Sequence, residues 1–166
     1  MKNVLVLASP FVFLAALISQ GCQPNERRIR EIVKEELAAK MKHSPILDAQ
    51  AVGPYSPAQR VGNFLFVSGQ IGLNQQTGMI ENKDIETETH QALENMMMIL
   101  RKAGYDSSDV IATTVYLKDI GDYTKMNNIY GGYFQEGDYP ARATVQVAAL
   151  PRDARVEISA IAHKSN

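Results

Sequence analysis

The run Asn63-Phe64-Leu65-Phe66-Val67-Ser68-Gly69-Gln70-Ile71-Gly72-Leu73 decides the fold. It carries no charge and is rich in aromatic and aliphatic residues, which predicts a buried strand; Asn74 to Met79 behind it reads as a turn. Beyond the turn, Asp84 to Ala103 has Ile85, Ala92, Met96, Ile99 and Leu100 at helical spacing, with Gly104 as the stop. Met96-Met97-Met98 reads as core filling by a flexible side chain rather than as metal chemistry. Val110 to Leu117 is a second strand and Asp122 to Gln135 a second helix, with Tyr123, Met126, Tyr130, Tyr133 and Phe134 near one side. Arg142 to Leu150 and Arg155 to His163 are the closing strands. Strand, helix, strand, helix and two strands predict an α+β fold with both helices on one face of a sheet.

Before Ile46 the chain changes character twice. Met1-Lys2-Asn3 is followed by fifteen almost wholly apolar residues, Val4 to Ile18, and then by Ser19-Gln20-Gly21-Cys22. One early cation, a short apolar run and a small residue before the break make a signal-peptide pattern over residues 1–21. The run spans roughly 22 Å as a helix, short of a roughly 30 Å hydrocarbon core. Ile18-Ser19-Gln20-Gly21-Cys22 resembles a bacterial lipobox, with Cys22 as the lipid anchor. An ordinary cleaved signal and an uncleaved leader are the other readings. The lipobox reading places the protein in the cell envelope, lipid-anchored on the periplasmic or outer face; the last reading leaves it cytoplasmic. Residues 23–45 form a charged linker in which Glu26 to Lys42 is helical. Ile29, Val33, Leu37 and Met41 recur every four residues, with Glu31–Lys34 and Glu36–Lys40 at ion-pair spacing. Residues 46–166 are the globular domain.

The 166 residues include 17 Lys/Arg, 18 Asp/Glu and a single Cys, with no Trp. From Ile46 onward ten Lys/Arg face fourteen Asp/Glu, so the body is acidic and offers no general field for nucleic acid. One cysteine excludes an intramolecular disulfide framework and a Cys-rich zinc site. His43, His90 and His163 are scattered. There is no phosphate-binding glycine loop and no Gly-X-Ser-X-Gly elbow, and the domain holds no cysteine. No metal or cofactor is implied. Any reaction must rest on binding, orientation and one acid–base group.

Two residues are candidates for that work. In Pro140-Ala141-Arg142-Ala143-Thr144-Val145-Gln146-Val147, alternation puts Arg142, Thr144 and Gln146 on one face and the small and branched residues on the other. The valine face is expected against the helices. Arg142 on the opposite face is either an exposed ion pair or a two-pronged grip on a carboxylate. Glu157 interrupts the apolar run Val156-Glu157-Ile158-Ser159-Ala160-Ile161-Ala162, so it is paired, catalytic or at the surface. A turn pairing Leu150 with Arg155 would put Arg142 across from His163, roughly 20 Å along the strand from Glu157. In that register one chain cannot bring both to one small ligand, and a shared site needs a second subunit or another pairing.

Six ordered motifs resemble the RidA/YjgF family. They are Gly53-Pro54-Tyr55-Ser56-Pro57-Ala58, Val67-Ser68-Gly69-Gln70-Ile71, Gln91-Ala92-Leu93-Glu94-Asn95, Thr113-Thr114-Val115-Tyr116-Leu117-Lys118-Asp119, Pro140-Ala141-Arg142 through Pro151, and Val156-Glu157-Ile158. The likeness runs from about Ser44 to His163 and leaves out the leader and the linker. It implies a trimer of chorismate-mutase-like α+β chains with ligand sites between subunits. It implies hydrolysis of reactive enamine or imine acids (2-aminoacrylate/2-iminopropanoate, 2-iminobutanoate) to 2-oxo acids and ammonia, without a cofactor. By resemblance, Arg142 grips the substrate carboxylate and Glu157 positions a water. Tyr55 and Asn127 line the cleft, and at Gly69 the backbone comes close to the ligand. Thr144 stands where several members carry Cys. A non-catalytic, small-carboxylate-binding or chaperone-like trimer is the competing class. Ribonuclease action fits least, given the acidic body and the lack of a His pair or basic patch.

Overall fold

The computed structural model describes residues 26–46, 53–80 and 84–165. The leader and Cys22 lie outside the described residues. The chain divides into two compact units, one ending at Lys42 and one running from His43 onward.

In the first unit, α1 (Glu26–Lys40) is the charged helix expected from the sequence. Among the described side chains, Glu31 pairs backward with Arg27 at 3.6 Å and Arg28 at 3.8 Å rather than forward with Lys34, and Glu26 pairs with Arg30 at 3.6 Å; the expected Glu36–Lys40 pair lies outside the described side chains. Such exposed pairs contribute about 0.2–0.5 kcal/mol each. Val33, Leu37 and Met41 are exposed. No helix among the described residues is long and apolar enough to cross a membrane.

The second unit is built on six strands: β1 (His43–Ile46), β2 (Ala58–Val61), β3 (Phe64–Ile71), β4 (Val110–Leu117), β5 (Ala141–Gln146) and β6 (Val156–His163). They lie in the order β1-β2-β3-β6-β4-β5, antiparallel throughout except for the parallel pair β4 and β5. Two helices, α2 (Ile85–Lys102) and α3 (Tyr123–Gly131), complete an α+β fold. Residues 43–45, grouped with the linker by charge, belong here: β1 pairs with β2.

The helices form where the periodicity predicts, for local reasons. Asp84 caps α2 by accepting the Thr87 N–H at 2.9 Å, satisfying one of the four donors a helix start leaves open. At the other end Arg60 donates to the Ala103 carbonyl and Lys164 to that of Gly104 at 2.9 Å, so two cations sit on the negative end of the helix. α3 stops at Gly131, four residues short of the expected end, because Gly131-Gly132 is a poor helix continuation.

One face of the sheet is dry. Leu65, Val67, Val115, Leu117, Val156 and Ile158 point to the helices and meet Leu93, Met96, Ile99, Leu100 and Met126. Burying each such side chain is worth about 1.5–3 kcal/mol. Met96 and Met97 are buried in this layer, as core-filling residues should be. Gly72 lets α2 close onto the end of β3: a Cβ there would stand 2.8 Å from Glu88 Cα. The other face is uncovered by the described residues, and Phe64, Phe66, Ile111 and Val145 on it are exposed large apolar side chains.

Two expectations are corrected. β5 and β6 do not pair as a hairpin; β4 and β6 pair instead, and β5 lies on the far side of β4. The cause is α3: a strand–helix–strand unit returns its second strand parallel to the first, which puts β5 beside β4. The second correction concerns which face of β5 is covered. Arg142 faces α3, and Val145 is on the open side.

Candidate active site

Glu157 lies between the fully buried Val156 and Ile158, so strand alternation sends its carboxylate to the open face. Its neighbours across the sheet are Tyr116 on β4 and Ile71 on β3. Beside it the β3–β6 register shifts between Val67 and Gln70, a bulge that places Gly69 against the carboxylate. A Cβ on Gly69 would fall 2.6 Å from the Glu157 carboxyl carbon, and closer still to Oε1. Tyr55, Ser68, Gly69, Ile71, Arg152 and Glu157 line a cavity of about 340 Å³. Burial pushes the Glu157 carboxyl above the ordinary 4.5.

The walls of this cavity are tied down. Ser68 donates through its hydroxyl to the Ser56 carbonyl at 2.8 Å and through its N–H to the Pro57 carbonyl at 3.0 Å, fixing the Tyr55 loop to β3. From α2, the buried Asn95 amide donates to the carbonyls of Ile71 at 3.0 Å and Leu73 at 2.8 Å while accepting from Gln91. That is the physical use of the Gln91–Asn95 motif. At the rim, Arg152 and Asp153 both have positive φ, 56° and 61°. Arg152 donates to the Gly78 carbonyl at 2.7 Å, and Asp153 pairs with Lys118 at 2.5 Å. Such backbone costs of order 1–3 kcal/mol per residue, and these two side-chain ties hold it in place.

Arg142 is in a different place. Its register partner is Thr113, and its guanidinium lies over α3. Nη2 donates to Asn127 Oδ1 at 2.7 Å and to the Tyr123 hydroxyl at 3.2 Å, while Cζ lies 4.4 Å from the Tyr130 ring centre. These partners are all neutral, so the charge is held in place without being cancelled. A cavity of about 270 Å³ opens beside it between Asn127, Tyr130, Tyr139 and Pro140.

Arg142, Thr113, Ala160 and Val67 form one row across the sheet, and Val145, Tyr116, Glu157 and Ile71 another. The rows are three residues apart, roughly 10 Å, and their side chains leave by opposite faces. The structure therefore groups Glu157, Tyr55 and Gly69 in one cavity and Arg142 with Asn127 in another. It does not bring the two groups together within one chain. The sequence reading did not find Tyr123 and Tyr130 as partners of Arg142. Tyr123, Asn127 and Tyr130, at i, i+4 and i+7 on one helix stripe, were the available signal.

Comparison with known proteins agrees over the same span. The family model described as endoribonuclease L-PSP matches residues 45–164. A RutC family protein of Pyrococcus horikoshii is 52% identical over 113 residues, covering 68% of this chain and 89% of its own. The mouse 2-iminobutanoate/2-iminopropanoate deaminase is 49% identical over 112 residues, covering 68% of this chain and 82% of its own. The solved structure of Escherichia coli TdcF with bound serine superposes with a TM-score of 0.69 at 38% identity, over 74% of this chain and all of that one. The described motifs, the sheet with its two covering helices and these matches coincide: the chain belongs to the RidA/YjgF family.

Proposed function

We propose that the protein is a hydrolase of small 2-imino and enamine acids, of the 2-iminopropanoate/2-iminobutanoate type, working as a homotrimer with sites shared between subunits. The observation that carries this reading is the pairing of two unspent groups. Arg142 is a cation held by neutral partners, and Glu157 is a half-buried carboxylate that forms no ion pair among the described residues. They lie on opposite faces, so a shared ligand needs two chains. The uncovered apolar face with Phe64, Phe66 and Val145 gives those chains a surface to meet on. The mouse relative's name supports the substrate class.

In this mechanism Arg142 holds the substrate carboxylate, with Asn127 fixing the guanidinium and Tyr55 and Gly69 lining the cleft. Glu157 takes one proton from the water as it attacks the imine carbon: the C–O bond forms, the carbon–nitrogen double bond becomes single, and Glu157 passes that proton to the nitrogen. Glu157 then takes the proton of the new hydroxyl and delivers it to the amine as the C=O forms and the C–N bond breaks, leaving a 2-oxo acid and ammonia. A base with a raised pKa suits this transfer near neutrality. An imine is already electrophilic, so orientation and one base suffice. The test is the decay of freshly generated 2-aminoacrylate in a coupled assay: acceleration, abolished by Arg142→Ala with the oligomer intact, supports the reading. Decay at the spontaneous rate refutes it and favours a non-catalytic carboxylate binder, for which the serine-bound relative is the specific support.

For location we propose a lipid anchor at Cys22, on the strength of the apolar run and the Ile18–Cys22 stretch. Cys22→Ser should release the protein from the membrane fraction; unchanged fractionation would place it in the cytoplasm or on another anchor.

A further inference from the structure

We propose that Tyr130 is a positioning residue for Arg142: its ring face sets the plane of the guanidinium, and its buried hydrogen bond to Thr113 sets the ring. This rests on Arg142 being the carboxylate grip. Arg142 stands on the outermost strand, on a four-torsion stem, and is only half-buried. An unsupported guanidinium there would sample many orientations, and binding a planar carboxylate would have to select one. Tyr130 removes that freedom from below. Its ring is 3% exposed and packs on Phe134 at 4.8 Å, whereas Tyr123, the other ring near Arg142, is 41% exposed and lies farther off, at 5.8 Å.

The hydroxyl gives the ring its fixed place. Tyr130 and Thr113 share a 2.7 Å hydrogen bond between buried oxygens. Thr113 is also the register partner of Arg142, so strand pairing itself brings the latch beside the cation it serves. With the plane set, Asn127 and Tyr123 take the Nη2 hydrogens. The longer, exposed Tyr123 bond is the one a ligand carboxylate displaces, binding across Nη2 and Nη1 while Asn127 keeps its hold.

The full chain is tested with Tyr130→Leu, which removes the ring, Tyr130→Phe, which keeps it, and Thr113→Val, which removes the latch. Two quantities are read: the Kd for 2-oxobutanoate by NMR titration, and kcat and KM on freshly generated 2-iminobutanoate. Tyr130→Leu is expected to raise Kd and KM about tenfold with kcat changed less than about threefold. Tyr130→Phe and Thr113→Val should each raise them by about two- to fourfold. In an Arg142→Gln background the three substitutions should leave Kd unchanged, which a general structural role would not produce. Unchanged Kd in the Arg142 protein, or an undiminished loss in the Gln background, overturns the proposal, as does failure of the unsubstituted protein to bind 2-oxobutanoate. Should Tyr130→Leu fail to fold, the other two variants decide by the same criteria. Binding without imine turnover would sink the hydrolase reading while the Kd series still decides the role of Tyr130.

Discussion

The Glu157 carboxylate occupies the space that a side chain on Gly69 would fill, with the virtual Cβ 2.6 Å from the carboxyl carbon. Gly69→Ala therefore has to push the carboxylate aside. The displaced group is the end of a side chain beside a cavity, so the stability cost should be no more than about 1–3 kcal/mol. Turnover is expected to fall at least tenfold with the far-UV spectrum unchanged. Full activity in the alanine variant would detach Glu157 from the chemistry.

The pH dependence follows from burial. Glu157 titrates above 4.5, and only its ionised form accepts a proton from water, so kcat/KM should rise with pH through a pKa higher than that of a free glutamate. Glu157→Gln should remove this acid limb along with the activity. Stability runs the other way. Between the unfolded and folded pKa values the folded protein binds more protons, so stability falls as pH rises through that window. The Gln variant avoids ionisation in the cavity and should melt at or above the temperature of the parent at pH 7. A lower melting temperature would mean that the ionised Glu157 is stabilised by something other than its surroundings in one chain.

Asn95 joins the helix layer to the site. It is 2% exposed, and its amide satisfies two β3-end carbonyls. Asn95→Ala leaves both without that donor, at about 1–3 kcal/mol for each buried group. A loss of about 2–4 kcal/mol in urea unfolding is expected, and a loss under 1 kcal/mol would show that the strand end relaxes freely.

The open face gives a further test. Val145 is exposed in the chain, in the same row as Glu157. Val145→Asp should leave the protomer folded, since Val145 is exposed and lies outside the buried core. A trimer built on this face would dissociate to monomers in sedimentation velocity and lose turnover at least a hundredfold, because a desolvated unpaired carboxylate is costly. A trimer that survives the substitution would place the interface elsewhere.

Much of the fold was legible in the chain itself, because it rests on local chemistry. The uncharged run from Phe64 to Ile71, the Asp84 cap, and the spacing of Ile85, Ala92, Met96 and Ile99 mark their elements with near neighbours alone. The identities of Arg142 and Glu157 stood out for a similar reason: a charge on an apolar strand is conspicuous in one dimension. Their environments were not legible. The sequence cannot show that α3 carries β5 to the far side of β4, because the choice of sheet neighbour depends on contacts distant in sequence. That crossover turned Arg142 toward α3 and onto Tyr130, where alternation alone had put the valines. It also separated Arg142 from Glu157 by face rather than by distance along a hairpin. The hairpin expected from the sequence and the sheet observed both keep the two residues apart within one chain, the observed sheet because strands alternate their side chains wherever they lie in it.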